Sequence, residues 1–398
     1  MDIASRTLSI DLRLATLAVT LLPLSLLWDY SWESTVGVDQ TWAPPHLATH
    51  IAVWLLGLIG LKQLIATTRE GAGGVSIGKL RAPSGVWLML WAVLAFQVAF
   101  LFDTWWQRAY GLGAGIWHPP QILKAIAFVG MQFGVLVFCA APGAGGRRSN
   151  FLIAWNVVML LVLAALMMGA ATLANAQHAA AFYKLSSFCF PFLLVLGATA
   201  TGLRWGATFC AFGYLLAAGA MTWILPLFPA RPLTGPIHNP MDHFLPPTFP
   251  LLLVIPAVII DGLRAMLVRP QPRRGNELDD AHCVSEPSRL TPSPRPSSPR
   301  GRWSLISVVI SPVFLALFIP SQWMFAKFLL SPAADNWFFA GGGKHWPFFL
   351  KIDEARVMFW RASQDPLNLK AMLICLALAT ASSWVGIGVG NWLCRLRR

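Results

Sequence analysis

The sequence predicts an all-α fold, a polytopic integral membrane helical bundle of about ten transmembrane helices with both termini cytoplasmic. The first observation is composition: 56% of the residues are hydrophobic and only 12% are charged, against about 25% charged residues in soluble domains. The second is that apolar runs of about 20 residues, long enough to cross the hydrocarbon core, recur along the chain. The third is that basic residues cluster in alternate loops, as in multi-span membrane proteins.

The apolar runs predict the spans directly. In order, they cover 11–28, 46–66, 84–102, 119–140, 151–174, 179–201, 205–228, 247–268, 304–329 and 370–393. Only a few residues around Arg204 separate the sixth run from the seventh, so the count of ten is approximate.

The short loops predict the orientation. Loop 62–82 contains Lys62, Arg69, Lys79 and Arg81, whereas loop 29–45 contains acidic residues and no Lys or Arg. Cytoplasmic loops carry the excess of Lys and Arg. We therefore expect a multi-pass protein of the bacterial inner membrane, with loop 29–45 on the periplasmic side.

Composition also divides the chain into three parts. Residues 1–268 form a predicted eight-span membrane domain. Residues 269–303 are rich in Pro, Ser and Arg and have few large apolar residues, so they predict a disordered basic cytoplasmic linker. Residues 304–398 form a two-span unit with a long external loop, 330–369, whose second half has the pattern of a short amphipathic helix on the membrane surface.

Charge and cysteine content exclude two classes of function. The formal net charge of +13 comes from basic residues spread over loops rather than from one patch, so no nucleic-acid partner is expected. The six cysteines show no paired spacing, so neither a thiolate metal site nor a disulfide framework is indicated.

One sequence pattern occurs twice near the N-terminus, at Asp29 to Leu47 and at Asp103 to Ile122. The two copies align Asp29 with Asp103, Trp32 with Trp106, Gly37 with Gly111, and Trp42 with Trp117. Each copy ends on a Pro-Pro pair, and a third pair is Pro246-Pro247. Because Pro suits the first turn of a helix, we expect three membrane helices to begin in this way at one face.

Histidines and carboxylates gather around these three predicted helix starts and suggest a metal site. The candidate ligands are His46, His50, His118, His238, Asp242 and His243. His46 and His50 stand four residues apart, which places two imidazoles on one helix face. The alternatives are interfacial histidines that bond loop carbonyls and, for 238–243, an ordinary polar surface loop.

Two aspartates next to tryptophans are candidates for a supporting role. Asp29 and Asp103 are expected to accept the free ring N–H of a ligating histidine; the alternative is that they cap helices or face water. Lys124, close to the start of the fourth span, is expected to extend to the lipid headgroups.

The donor types and one local resemblance indicate the metal. Imidazole with carboxylate and without thiolate suits copper, zinc or iron. Residues Gly235 to His243, GPIHNPMDH, resemble the P-L-H-x-P-V-E-Y stretch in the A subunit of the copper membrane monooxygenases, with matches at Pro236, His238 and Pro240. That resemblance implies copper and an oxidation reaction. The repeated Asp-Trp-Gly-Pro-Pro pattern is similar to that of uncharacterised bacterial multi-span membrane proteins.

The leading functional hypothesis is a copper-binding redox or oxygenase-type membrane protein, or a subunit of one. If it is catalytic, its substrate is expected to be small and apolar and to arrive through the lipid bilayer. Two alternatives remain: a transporter or metal-delivery protein, and a structural subunit that contacts other membrane subunits through loop 330–369.

Overall fold

The computed structural model describes residues 3–37, 40, 42–71, 73–111, 117–141, 147–171, 177–267, 299–341, 346–351 and 364–397. Most of the predicted linker, and residues 342–345 and 352–363 of the predicted external loop, lie outside these ranges. The chain is all-helical except for one small hairpin of strands β1 (Val75–Ile77) and β2 (Leu80–Ala82) within the described residues.

Ten α-helices make up the described part of the bundle. They are α1 (Ile3–Thr35), α2 (Pro44–Glu70), α3 (Ser84–Tyr110), α4 (Pro119–Cys139), α5 (Arg147–Ala171), α6 (Ala180–Ala200), α7 (Gly206–Ile224), α8 (Val254–Leu267), α9 (Pro299–Leu329) and α10 (Leu369–Leu396). Nine of those described are long and apolar enough to cross a membrane, and only α8 is too short.

The two Pro-Pro pairs of the repeated pattern start helices, as predicted. Helix α2 begins at Pro44 and α4 at Pro119, and we call this end of the bundle the Pro-Pro end. The helices before them run further than predicted, so Asp29 lies inside α1 and Asp103 inside α3. Gly37 and Gly111, which the repeat aligns, both have positive φ, +76° and +91°, a conformation that favours glycine.

The third Pro-Pro pair does not start a helix, which corrects the prediction. Residues 244–253 are non-helical, and α8 begins only at Val254. Pro246, Pro247 and Pro250 each lack a backbone N–H, and the residue before a proline is driven out of the helical region. The predicted eighth span is therefore helical only from Val254 onward, and we call residues 244–253 the extended segment.

Helix α5 lies at the centre of the bundle, in contact with α1, α4, α6 and α7. Its residues Ile153, Val157 and Leu161 are completely buried. Around it, α1 packs on α2, α3 on α4, and α6 on α10. The C-terminal half of α5 thus approaches the Pro-Pro end surrounded by other helices.

Large apolar side chains also face outward from the helices. Leu58 of α2, Leu101 of α3 and Ile126 of α4 are more than half exposed. A soluble protein rarely exposes a continuous apolar surface of this kind. Together with the helix lengths, the exposed side chains indicate contact with a lipid bilayer.

Candidate functional site

A cavity of about 390 Å³ opens between helices at the Pro-Pro end; we call it the Pro-Pro cavity. The ends of α1, α4, α5 and α7 and the extended segment form its walls. The side chains that supply polar atoms to its lining are Asp29, Tyr30, Glu33, Gln121, Lys124, Gln177, Tyr214 and Thr248. The remaining lining is mainly apolar, so the polar groups are concentrated at a few places in an otherwise hydrophobic space.

The extended segment forms one wall of this cavity through Pro247, Thr248, Phe249, Pro250 and Leu251. Its buried backbone cannot form helical hydrogen bonds, and unpaired peptide groups at membrane depth cost several kcal/mol each. Side chains of α1, α7 and α9 bond this backbone instead. The hydrogen bonds run from Ser31 Oγ to Leu245 O (2.5 Å), Leu245 N to Thr35 Oγ1 (2.8 Å), Thr222 Oγ1 to Pro247 O (3.2 Å), Leu251 N to Tyr214 Oη (3.0 Å) and Leu252 N to Gln322 Oε1 (3.0 Å).

Asp29 and His46 face each other at the edge of the cavity. His46 Nε2 lies 3.2 Å from Asp29 Oδ1, a buried atom that receives no hydrogen bond from the described residues. His46 Nδ1 lies 2.9 Å from the carbonyl oxygen of Gln40. Because a carbonyl only accepts, Nδ1 is the protonated nitrogen in this contact. Nε2, the other ring nitrogen, therefore faces a carboxylate oxygen.

The aspartate of the second copy of the repeat has different hydrogen-bond partners. Asp103 is buried and receives hydrogen bonds from Lys124 Nζ at 2.5 Å, Gln107 Nε2 at 3.1 Å and Gln121 Nε2 at 3.3 Å. When the Pro-Pro pairs are aligned, Gln121 occupies the position of His46. The equivalent side chains thus contact the equivalent aspartates, and in this copy two amides and an amine take the place of the imidazole.

Lys124 departs from its prediction. It was expected to extend to the headgroups, but its Nζ turns inward to Asp103, and its side chain is only 20% exposed. An ammonium with a buried carboxylate in reach gains more from that ion pair than from partial hydration at the interface. Lys124 consequently reaches the wall of the Pro-Pro cavity.

His50 and His118 pack against aromatic rings. His50 is 4% exposed and lies among Trp42, Trp54, Phe96 and Phe100, with ring-centroid separations of 4.7–6.1 Å. His118 precedes α4 and packs on Trp106 at 5.9 Å. The Nδ1 atoms of both histidines are buried without a hydrogen-bond partner in the described part of the chain.

The cluster at 238–243 lies in the loop between α7 and the extended segment. His238 is exposed, and its backbone N–H donates to Phe348 O at 2.7 Å. Asp242 and His243 bond each other through Oδ1 and Nδ1 at 2.7 Å, and the Asp242 side chain is 84% exposed. The hydrogen bond from His243 lowers the pKa of Asp242 below its usual value.

Of the predicted site residues, the structure therefore joins Asp29 with His46 and Asp242 with His243. In the described ranges, no three His, Cys, Asp or Glu side chains form a group that could hold a metal ion, so the metal site remains a prediction. Glu33, Gln121, Gln177 and Tyr214 were not among the predicted site residues. Of these, Gln121 alone had a signal in the sequence, its place directly after the Pro119-Pro120 pair.

No family model, curated protein or solved structure matches this chain.

Proposed function

We propose that this chain is a membrane protein of the transporter class that binds a small cationic ligand in the Pro-Pro cavity. The observation that carries the proposal is the extended segment, which forms the non-helical first part of a predicted span and lines the cavity. Non-helical backbone at membrane depth occurs where it lines a cavity, and transporter binding sites contain such backbone. The volume of about 390 Å³ also falls within the range of about 300–1,000 Å³ for ligand pockets.

The charge of the lining supports a cation. Asp29 and Glu33 contribute carboxylates to the cavity. Lys124 contributes the opposing ammonium, but Asp103 neutralises it at 2.5 Å. Asp29 Oδ1 is buried and receives no hydrogen bond from the described residues, and a carboxylate in such surroundings is weakly screened. An ammonium ligand complements this carboxylate, whereas an anion does not.

Binding by the purified protein in phosphatidylcholine nanodiscs tests this proposal, with hexyltrimethylammonium as the cationic probe and hexyl sulfate as the anionic comparator. Calorimetry is expected to detect the cation and not the anion. Asp29→Asn should weaken cation binding about tenfold, the loss of about 1.4 kcal/mol. Asp242→Asn, a carboxylate exposed in the loop, is the matched control and should leave affinity unchanged.

Equal binding of both probes, or unchanged affinity in Asp29→Asn, would contradict the proposal. Uptake of the labelled cation into proteoliposomes then separates transport from binding alone.

A copper-binding redox protein is the second candidate function, and the contact between His46 and Asp29 favours it. A metal-ligating histidine commonly donates its other ring N–H to a backbone carbonyl, as His46 Nδ1 does toward Gln40. Nε2 and Asp29 Oδ1 would supply a nitrogen and an oxygen donor to copper, zinc or iron.

Metal analysis after copper repletion tests this candidate. Wild type and His238→Ala are expected to retain bound copper, whereas His46→Ala loses it. Absence of a transition metal from the wild-type protein, or an equal metal content in His46→Ala, removes the candidate. Either result would also exclude the hypothesis of a copper-dependent oxygenase.

A further inference from the structure

Next to the Pro-Pro cavity, on the outside of the bundle, lies an apolar groove of about 680 Å³. Its lining side chains come from α4, α5, α6 and α10 and are almost all apolar. Ile126 of α4 is 61% exposed, Phe188 of α6 is 60% exposed and Val385 of α10 is 46% exposed. In a membrane this groove therefore opens sideways to the hydrocarbon core.

The groove and the cavity share a wall of three side chains, Ala125, Met167 and Met168. Ala125 is small, and unbranched methionine side chains adapt their shape at little cost. Met168 Sδ accepts a hydrogen bond from Ser186 Oγ at 3.1 Å, which holds that side chain toward α6. The cavity and the groove are therefore divided at this wall by a small side chain and two adaptable ones.

The groove has a limited length along the helices. On α4 it runs from Ile122 to Val129, about 10 Å along the helix axis. Beyond that, Phe133 stacks on Trp392 of α10 with ring centroids 6.5 Å apart, so α4 and α10 meet there. The space suits a chain that enters from the Pro-Pro end and lies along α4.

We propose that the cationic ligand is a single-chain amphiphile, whose ammonium headgroup binds in the Pro-Pro cavity and whose alkyl tail passes the wall into the groove. This inference rests on the proposed function. The Asp29 carboxylate in the cavity lining selects an ammonium headgroup, and the nearly wholly apolar groove beside it selects a hydrocarbon tail. Because the groove is open to lipid, such a ligand reaches the cavity from within the membrane.

Photo-crosslinking tests the position of the tail. The probe is hexadecylammonium with a diazirine near the end of its tail, in phosphatidylcholine nanodiscs, and hexadecyl sulfate with the same diazirine is the comparator. Mass spectrometry should place the amine crosslinks on groove residues such as Leu163, Phe188 and Val385. The sulfate should label the lipid-facing surface evenly, including Leu58 and Leu101.

Two matched variants of α10 sharpen the test. Ala381 lines the groove and is exposed, so Ala381→Trp should fill the groove and reduce its labelling to the level of the lipid-facing residues. Ala377, one turn away and also exposed, does not line the groove, so Ala377→Trp should leave labelling unchanged. Neither variant should alter the affinity for hexyltrimethylammonium.

The outcomes separate the two proposals. If hexyltrimethylammonium binds but the tail crosslinks are scattered, remain at cavity residues such as Phe128, or persist in Ala381→Trp, the amphiphile inference is overturned and the proposed function stands. If neither ammonium compound binds, the proposed function itself fails.

Discussion

The Tyr214 hydroxyl accepts a hydrogen bond from the backbone N–H of Leu251 at 3.0 Å. Tyr214 belongs to α7 and is buried, and Leu251 belongs to the extended segment. The contact shows how non-helical backbone is stabilised inside an apolar bundle: a side chain on a neighbouring helix takes the place of the missing helical carbonyl.

Removing that hydroxyl should destabilise the protein. Tyr214→Phe keeps the ring but leaves the Leu251 N–H buried without an acceptor, a loss of about 1–3 kcal/mol in the free energy of unfolding. Titration with SDS in mixed micelles measures it. Tyr110→Phe is the control, because Tyr110 is 67% exposed and should tolerate the change. Equal stability of the two variants would mean that the hydroxyl does not support the segment.

The ion pair between Asp103 and Lys124 should behave as a buried pair. Lys124→Met leaves the carboxylate of Asp103 with only the two glutamine amides and should lower the free energy of unfolding by about 3–5 kcal/mol. In the double variant, Asp103→Leu removes the unpaired carboxylate that Lys124→Met leaves behind. The double variant should therefore recover much of the lost free energy of unfolding. The same SDS titration measures both variants. A double variant no more stable than Lys124→Met would contradict the burial of this pair.

Helices α3 and α4 should be sensitive to added volume at Gly134. A Cβ built on Gly134 would lie 2.7 Å from the backbone nitrogen of Met89, so Gly134→Ala must push the helices apart and should cost about 1–3 kcal/mol. Gly388 of α10 has no atom within 4 Å of such a Cβ. Gly388→Ala should therefore be neutral or slightly stabilising. Thermal unfolding in detergent compares the two, and indistinguishable midpoints would argue against close packing of α3 on α4.

The predicted orientation can be tested with single cysteines. Ser76 lies in the β1–β2 hairpin and Thr234 in the loop after α7, and both are exposed. In a background without Cys283 and Cys394, a membrane-impermeant maleimide applied to intact cells should label Thr234→Cys and not Ser76→Cys, because basic loops stay in the cytoplasm. Labelling of Ser76→Cys and not of Thr234→Cys would indicate the opposite topology, with the Pro-Pro cavity on the cytoplasmic side.

Local chemistry explains which predictions succeeded. Pro44 and Pro119 start helices because proline fits the first turn wherever the following residues favour a helix. Pro246 was expected to act in the same way and does not, because two further prolines follow within four residues. The side chains that bond the non-helical backbone of the extended segment lie on α1, α7 and α9, outside the predicted span.

The candidate site was less accessible to prediction than the fold. Asp29 was expected to accept a hydrogen bond from a histidine and lies beside His46, yet Asp103 in the equivalent position pairs with Lys124. His46 and His50 share a helix face, but one faces a carboxylate and the other is enclosed by aromatic rings. Sequence spacing indicates which side chains share a helix, whereas their partners depend on the neighbouring helices.

The sequence by itself determined the class of protein, the approximate spans, and the starts of α2 and α4 at Pro-Pro pairs. These depend on hydropathy and on backbone preferences that act over a few residues. Only the tertiary structure decided that the extended segment, Asp29 and Lys124 line one cavity and that an apolar groove lies beside it. That arrangement arises because buried polar groups must find partners on whichever helices pack nearby, and those helices are far apart along the chain.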